Sequence, residues 1–324
     1  MHDLAVIIVS TNDAGWLSRC LESVREHAGE ILLDLVVADN ESSDGTAALV
    51  AERFPGARIV ACRNRGFGHA NNRALLTCDA RYVLFLNPDT EILEGTLADL
   101  LSFLDRRPDI GLAGVRQLTP AGDLYPTIRR FPNALRALGE AIGAERFPRA
   151  LAWLNSRLLN PAAYERELEC DWFTGAFLLA RAEALLGAGI FDERFFMSSE
   201  EVDLARRIKR AGWRVVHLPQ LTILHHVHAG APLGERMEAQ YALARRQYAE
   251  KHFSPLHRAS YLSLVKLRYR LRLAAALARG RRGAPGGPRR ALRTLRGAEP
   301  PPYGPPPMTA VAPRSESPRS LRPA

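Results

Sequence analysis

The stretch "VLFLNPDTEIL", residues 83–93, decides how the rest of the chain is read. Its apolar and aromatic residues run straight into Asn87-Pro88-Asp89. Such a run has the composition of a buried strand, and the proline stops it. An acid at the end of a buried strand has two explanations. Asp89 can open the next element as a cap, or it can serve as a hard oxygen ligand for Mg²⁺ or Mn²⁺ that in turn holds a diphosphate. One carboxylate holds a divalent ion weakly. The second explanation therefore requires partners, and diphosphate oxygens plus a distant histidine could supply them.

Working outward, the same pattern occurs three times upstream. "LAVIIV" (4–9), "LDLVVA" (33–38) and "ARIVAC" (57–62) read as buried strands, with "YVLFL" (82–86) as the fourth. Segments of helical spacing separate and follow them at 15–27, 43–54, 68–76 and 95–107. This alternation predicts an α/β fold, a mostly parallel sheet with helices on both faces. Ligands of such sheets sit beyond the carboxyl ends of the strands. Those ends carry Ser10-Thr11-Asn12, Asp39-Asn40, Asn64-Arg65-Gly66 and Asn87-Pro88-Asp89, so one rim collects small polar and acidic groups.

Downstream, residues 120–170 are irregular. Strand character returns at 170–181, and "SSEEVDLARRIKRAG" (198–212) is a helix with an acidic start and a basic end. "WRVVHLP" and "LTILHHVH" read as two further strands, and 235–251 as a helix. The net charge of +9 is unevenly placed. Residues 251–324 hold 16 Lys and Arg against 2 Asp and Glu, which leaves 28 basic and 33 acidic residues in 1–250. The globular part is mildly acidic, so no nucleic-acid partner is expected. Residues 253–279 read as a basic amphipathic helix suited to an anionic membrane surface, or alternatively packed on the core. Residues 280–324 read as an Arg/Pro-rich disordered tail. Four cysteines show no CxxC spacing and are expected reduced. With no signal peptide and no long uncharged span, the expected location is cytoplasmic, peripheral at the inner face of the plasma membrane.

No GxGxxG follows the first strand, which argues against a nicotinamide enzyme. Asp39 can accept hydrogen bonds from a ribose or base, or cap the turn in "DNESSDGT". The glycines of "NRGFGHANN" (64–72) permit close backbone approach, and Arg65 can meet a phosphate; a loop-to-helix turn explains the segment equally well. Glu200, Glu201 and Asp203 lie within four residues of one another. Clustered acids repel, which can raise one pKa into the range of a general base; the alternative is an acidic helix start stabilised by its dipole. His225 and His226 could ligate a metal or simply end a strand.

Taken in order, "VIIVSTN", "VVADNESSDGT", "NRGFGHANN", "FLNPDTEI", "DWFTGAFLLARAEAL", "GIFDERFFMSSEEVDLARRIKRAGWRVVHLP" and "ILHH" resemble the family 2 glycosyltransferases, in the bacterial rhamnosyltransferase-like branch. The resemblance spans about residues 4–250. It implies a GT-A fold in residues 1–252, with a nucleotide-sugar half (1–118) and an acceptor and catalytic half (119–252). It also implies a nucleotide-diphosphate sugar donor, a divalent metal and inversion at the anomeric carbon. By the resemblance, Ser10, Thr11, Asn12, Asp39, Asn64, Arg65, Gly66, Asn87 and Asp89 serve the donor. Trp172, Gly175, Ala176 and Asp203 line the sugar and acceptor site. Asp89 with His225 or His226 holds the metal, and Glu201, or second Glu200, is the base. The implied activity is transfer of a sugar, rhamnose from dTDP-rhamnose first, to a cell-surface glycan or lipid-linked acceptor. The competing function is a non-catalytic nucleotide-sugar-binding protein on the same fold. The chain departs from the family's usual residues in having Ser-Thr-Asn after the first strand, Asn-Pro-Asp as the metal motif and Glu at the base position.

Overall fold

β1 (His2–Ser10) is buried on both sides, and its side chains sort by alternation. Leu4, Val6 and Ile8 join one apolar cluster, and Ala5, Ile7 and Val9 join the other. Each fully buried Leu or Ile stabilises the fold by about 1.5–3 kcal/mol, so a strand with two apolar faces has to be covered twice. The computed structural model describes residues 1–147, 150–226, 234–279 and 286–304. On one face of the sheet lie α1 (Ala14–Glu26), α2 (Thr46–Arg53) and α4 (Leu97–Asp105), contributing Leu17, Leu21, Val50, Leu100 and Leu104. On the other lie α3 (Phe67–Leu75), α6 (Ala182–Ala188) and α7 (Glu200–Arg210), contributing Ala70, Ala74, Leu185, Leu204 and Ile208.

The strands β2 (Leu33–Asn40), β3 (Arg58–Cys62) and β4 (Ala80–Leu86) join β1 in parallel, in the order β3-β2-β1-β4. The expected mostly parallel sheet is present. It then changes direction. β10 (Phe177–Arg181) runs antiparallel between β4 and β6 (Ile110–Leu118), and β11 (Arg214–His225) lies parallel to β6. β5 (Thr90–Glu94) closes the edge antiparallel to β11, and the short β8 (Leu168–Glu169) also pairs with β11. β7 (Ile128–Arg129) and β9 (Trp172–Phe173) form a separate two-stranded ribbon.

One sequence expectation is corrected in this region. The two strands expected around Pro219 are one strand, β11, whose register shifts between Leu218 and Thr222. The proline sits in a bulge rather than a break, where its missing donor is tolerated. Gly95 lies against that bulge, with a φ of 83° that suits glycine, and a Cβ there would stand 2.3 Å from the Gln220 carbonyl oxygen.

The C-terminal region is also corrected. α8 (Glu235–His252) and α9 (Pro255–Ala278) share one cluster that includes Tyr248, Phe253, Tyr261, Val265 and Tyr269, together with Ala137 of α5 (Ala134–Ile142). The expected boundary at residue 252 is therefore a junction between packed helices. Part of the basic face of α9 turns inward: Arg268 pairs with Glu140 at 3.2 Å and Arg272 with Glu238 at 2.6 Å. Within the segment expected to be disordered, Gly286–Arg296 forms α10, which buries Ala291, Leu292 and Leu295 in the same cluster. Tyr303 stacks on Phe196, ring centroids 4.5 Å apart. The Arg and Pro content of this segment hides an apolar stripe at helical spacing. Residues 280–285 and 305–324 lie outside the described residues. None of the described helices is long and apolar enough to cross a membrane.

Asp203 fixes α7 to this helical layer. It is fully buried, and its carboxylate accepts from Arg207 at 2.8 Å, His252 at 2.7 Å and Lys251 at 2.6 Å. Burial would raise its pKa, but these three partners outweigh that and hold it well below the usual carboxylate range. A depressed carboxyl pKa stabilises the fold above the unfolded value, and that contribution is lost as pH falls toward the folded value. Removing one partner of a buried charge cluster typically destabilises by about 3–5 kcal/mol. Asp203→Ala is therefore expected to lower the urea-unfolding free energy by about that much at pH 7 and to flatten the acid limb of stability below about pH 4. A loss under about 1 kcal/mol would mean that the cluster does not anchor the helix.

Candidate active site

The carboxyl ends of β1–β4 form the expected rim. The Asn40 side-chain amide donates to Thr11 Oγ1 (3.2 Å) and to Asn64 Oδ1 (3.1 Å), so three strand ends are tied together. Asn12 adopts a left-handed φ of 59°, and its Oδ1 accepts from the Ser43 backbone N–H at 2.7 Å. Asp39 Oδ1 accepts from the Ser42 N–H at 3.0 Å, so the capping explanation holds for that oxygen; its other oxygen has no protein partner among the described residues. Ser10 is buried, and its hydroxyl has no partner among the described residues. Arg65 is exposed and forms no ion pair among them.

Gly66 explains its own identity. Its φ is 106°, and an added Cβ would stand 2.2 Å from the Phe196 carbonyl oxygen. That same carbonyl accepts from the Phe67 N–H at 2.9 Å. The loop of Asn64, Arg65 and Gly66 is thereby pressed against the segment that leads into α7.

Asp89 and His225 meet because β5 folds back on β11. The pairing sets His225 opposite Thr90, and the Asp89 carbonyl accepts from the His226 N–H at 2.9 Å. His225 Nε2 stands 3.4 Å from Asp89 Oδ1. Burial would raise the Asp89 pKa, but the hydrogen bond and charge of His225 outweigh it and hold the carboxyl below its usual range. His226 is directed elsewhere: its Nε2 lies 2.5 Å from Glu91 Oε1 and its ring packs on Trp16, centroids 4.2 Å apart. Of the two histidines offered by the sequence, the strand register brings His225 to the acid. Among the described residues no three His, Cys, Asp or Glu side chains converge as a closed metal cage. An acidic oxygen beside an imidazole nitrogen is a fitting partial donor set for a divalent cation whose remaining ligands are diphosphate oxygens and water.

Glu200 and Glu201 open α7 after an unusual turn. Ser198 and Ser199 both take left-handed φ values, 70° and 73°, which cost about 1–3 kcal/mol each for non-glycine residues. The Gln240 amide donates to the Met197 carbonyl at 3.2 Å and so braces the turn from α8. Both glutamates line a cavity of about 550 Å³, together with Asn87, Trp172, Gly175, Ala176 and His225. Each keeps a buried Oε2 without a hydrogen-bond partner among the described residues. Burial pushes the Glu201 pKa up to about 7, with Arg129 restraining the rise. Burial and the charge of Glu201 push Glu200 well above the carboxylate range. Gly175 leaves the space beside Glu201: a Cβ there would stand 3.9 Å from the Glu201 Cβ.

The expected acceptor residues thus divide. Trp172, Gly175 and Ala176 line the cavity; Asp203 is corrected to the buried charge cluster described above, because its carboxylate is taken up by Arg207, Lys251 and His252. Sequence reasoning missed Tyr125, whose ring meets His225 edge-on at 5.7 Å, and the cavity arginines Arg129, Arg130 and Arg136. These come from the irregular segment 120–170, where only the run "IRRFPNALR" hinted at clustered charge.

The sequence pattern described as "Glycosyl transferase family 2" matches residues 5–157. An N-acetylglucosaminyl-diphospho-decaprenol L-rhamnosyltransferase of Mycobacterium tuberculosis is 33% identical over 238 residues, covering 69% of this chain and 76% of that protein. Rhamnosyltransferase WbbL of Escherichia coli is 24% identical over 231 residues, covering 69% and 83%. Among solved structures, the mannosyltransferase PcManGT of Pyrobaculum calidifontis, in complex with GDP-Man and Mn²⁺, superposes with a TM-score of 0.54 at 18% identity, covering 92% of this chain and 87% of that one. TarS 1–349 of S. aureus, in complex with UDP-GlcNAc, gives 0.54 at 13% identity, covering 90% and 81%. These two likenesses place the fold among the GT-A glycosyltransferases. With the sequence pattern, the length of the mycobacterial match and the fold in agreement, the chain is a glycosyltransferase and belongs to family 2.

Proposed function

We propose that the enzyme transfers L-rhamnose from dTDP-rhamnose, with inversion, to a hydroxyl of a sugar carried on a lipid diphosphate. The observation that carries this reading is the placement of two carboxylates, buried Glu200 and half-buried Glu201, in the same cavity as His225, whose imidazole meets Asp89. The mycobacterial relative, whose name specifies rhamnosyl transfer to such a lipid-linked sugar, supports the choice of sugar and acceptor. Asp89 and His225 are the residues that would hold Mg²⁺ or Mn²⁺, and a cation there would supply positive charge to the donor's diphosphate.

The chain's own residues do the rest. Thr11, Asn12 and Asp39 hold the nucleoside end at the strand rim. Glu201, half-buried and near neutrality, removes the proton from the acceptor hydroxyl as the oxygen attacks the anomeric carbon. Glu200 is deeper, 5% exposed, and stays protonated, which makes it a hydrogen-bond donor to the sugar rather than a second base. A lipid-linked acceptor would bring the enzyme to the inner membrane surface. Exposed Arg270 and Leu271 of α9 are groups available to meet it.

A base works only when ionised, so kcat/KM is expected to rise with pH up to about 7 and then level. Glu201→Gln should remove this inflection and lower kcat by about 10²–10⁴ while leaving the donor Kd nearly unchanged. Turnover that is unaltered, or a pH profile that survives the substitution, rejects Glu201 as base. Asp89→Ala should reduce transfer more than Asn87→Ala in assays over a range of Mg²⁺ and Mn²⁺ concentrations; the opposite ranking would return Asp89 to a capping role. Arg270→Glu with Leu271→Ser should weaken sedimentation with phosphatidylglycerol vesicles several-fold, and equal sedimentation of both proteins would remove α9 from the membrane surface.

A further inference from the structure

The lining of the cavity carries three arginines in eight residues: Arg129 at the end of β7, Arg130 beside it, and Arg136 in the first turns of α5. None of the three has a carboxylate partner among the described residues. The arginines farther along the same cavity differ: Arg245 and Arg268 share Glu140, and Arg272 has Glu238. The Nε of Arg129 and the Nε and Nη1 of Arg136 are buried without a hydrogen-bond partner among the described residues. Arg130 donates from Nη1 to the Ala152 carbonyl at 3.1 Å, a neutral acceptor that leaves its charge unopposed. Buried guanidinium donors left unpaired are destabilising, and like charges gathered on one wall add repulsion. Burial lowers the pKa of both Arg129 and Arg136, and a neighbouring arginine lowers each further, Arg157 for the first and Arg130 for the second. An arrangement that is costly when empty of charge is what an anion-binding wall requires.

We propose that Arg129, Arg130 and Arg136 form a seat for the diphosphate of the acceptor, separate from the place where the donor's diphosphate lies. The proposal rests on the preceding reading of the acceptor as a sugar on a lipid diphosphate. Planar guanidiniums bind phosphate oxygens in pairs, and several of them match a doubly charged group better than a single carboxylate. Position separates this anion from the donor's. Asp89 and His225 are held at the ends of β4 and β11, whereas Arg129 belongs to the β7–β9 ribbon and lies over the Trp172 ring, 5.8 Å from its centroid. Trp172 and Arg129 line the same cavity as Glu201, and the Arg129 charge acts on Glu201. A sugar whose hydroxyl reaches Glu201 would carry its diphosphate on toward these arginines. The start of α5 adds the positive end of a helix dipole at the same wall.

The test is calorimetric titration of the full chain with geranyl diphosphate while saturating dTDP fills the donor site. The native protein is expected to bind geranyl diphosphate under these conditions. Arg136→Met and Arg130→Met should each weaken that binding about tenfold or more, with dTDP affinity changed less than twofold. Because each substitution removes an unpaired cation, the variants should also melt no lower than the native protein, whereas an arginine needed only for folding would lower Tm. The proposal is overturned if geranyl diphosphate fails to bind beside dTDP, if dTDP displaces it, or if the variants lose dTDP by the same factor. The two readings fail separately. Binding of geranyl diphosphate without rhamnosyl transfer to any lipid-diphosphate sugar refutes the acceptor assignment; transfer without that binding refutes the arginine seat.

Discussion

The pairing of β5 with the end of β11 is the constraint on which the site depends. Thr90–Glu94 turns back after the proline of the Asn87-Pro88-Asp89 loop and runs antiparallel to the last residues of β11. Strand side chains alternate with a period of two, so a slip of one residue would turn His225 away from Asp89 and bring a neighbour in its place. The acid and the imidazole are distant in sequence, and neither local propensity nor burial would bring them together. The backbone ladder does so, and the bulge at Pro219 lets one strand serve β6 along its length while still meeting β5 at its end.

A second organising force is the unequal treatment of three neighbouring acids. Glu200, Glu201 and Asp203 all lie in the first turn of α7. Asp203 faces Lys251, His252 and Arg207 and remains ionised. Glu200 and Glu201 face a cavity where Arg129 is the cation that acts on Glu201, and burial meets little opposition. One helix turn thus holds an anchoring carboxylate beside two carboxylates whose pKa is raised, and the difference lies in the cations supplied to Asp203 by α8 and by Arg207.

The first four strands and their helices are legible in the sequence because their signal is short-range: an apolar run, a polar turn, an amphipathic repeat. β5 is not, because "TEILE" is short and partly exposed. β11 reads as two strands because a proline inside a strand ordinarily argues for a break. α10 is hidden by composition, since its Ala291, Leu292 and Leu295 stripe lies among arginines and prolines. For the site, Asp89 and the glutamate pair can be picked out by residue type and by resemblance. The choice of His225 over His226 needs the strand register, and the role of Asp203 needs partners contributed by α8. The cavity arginines are beyond reach because their segment has no regular periodicity to say which wall it would form.

The stacking of Tyr303 on Phe196 has a consequence for how the enzyme comes into being. Phe196 belongs to the segment that leads into the strained serine turn, and its carbonyl is the one that Gly66 and Phe67 press against. Arg236 lies over the Tyr303 ring, 4.0 Å from its centroid, and ties the same residue to α8. A nascent chain can pair its first four strands while its later residues are still to be synthesised. The glutamate turn obtains its last brace only when residue 303 has emerged. The strand rim therefore draws on the first residues to be synthesised, whereas the turn that presents Glu200 and Glu201 is completed by one of the last described.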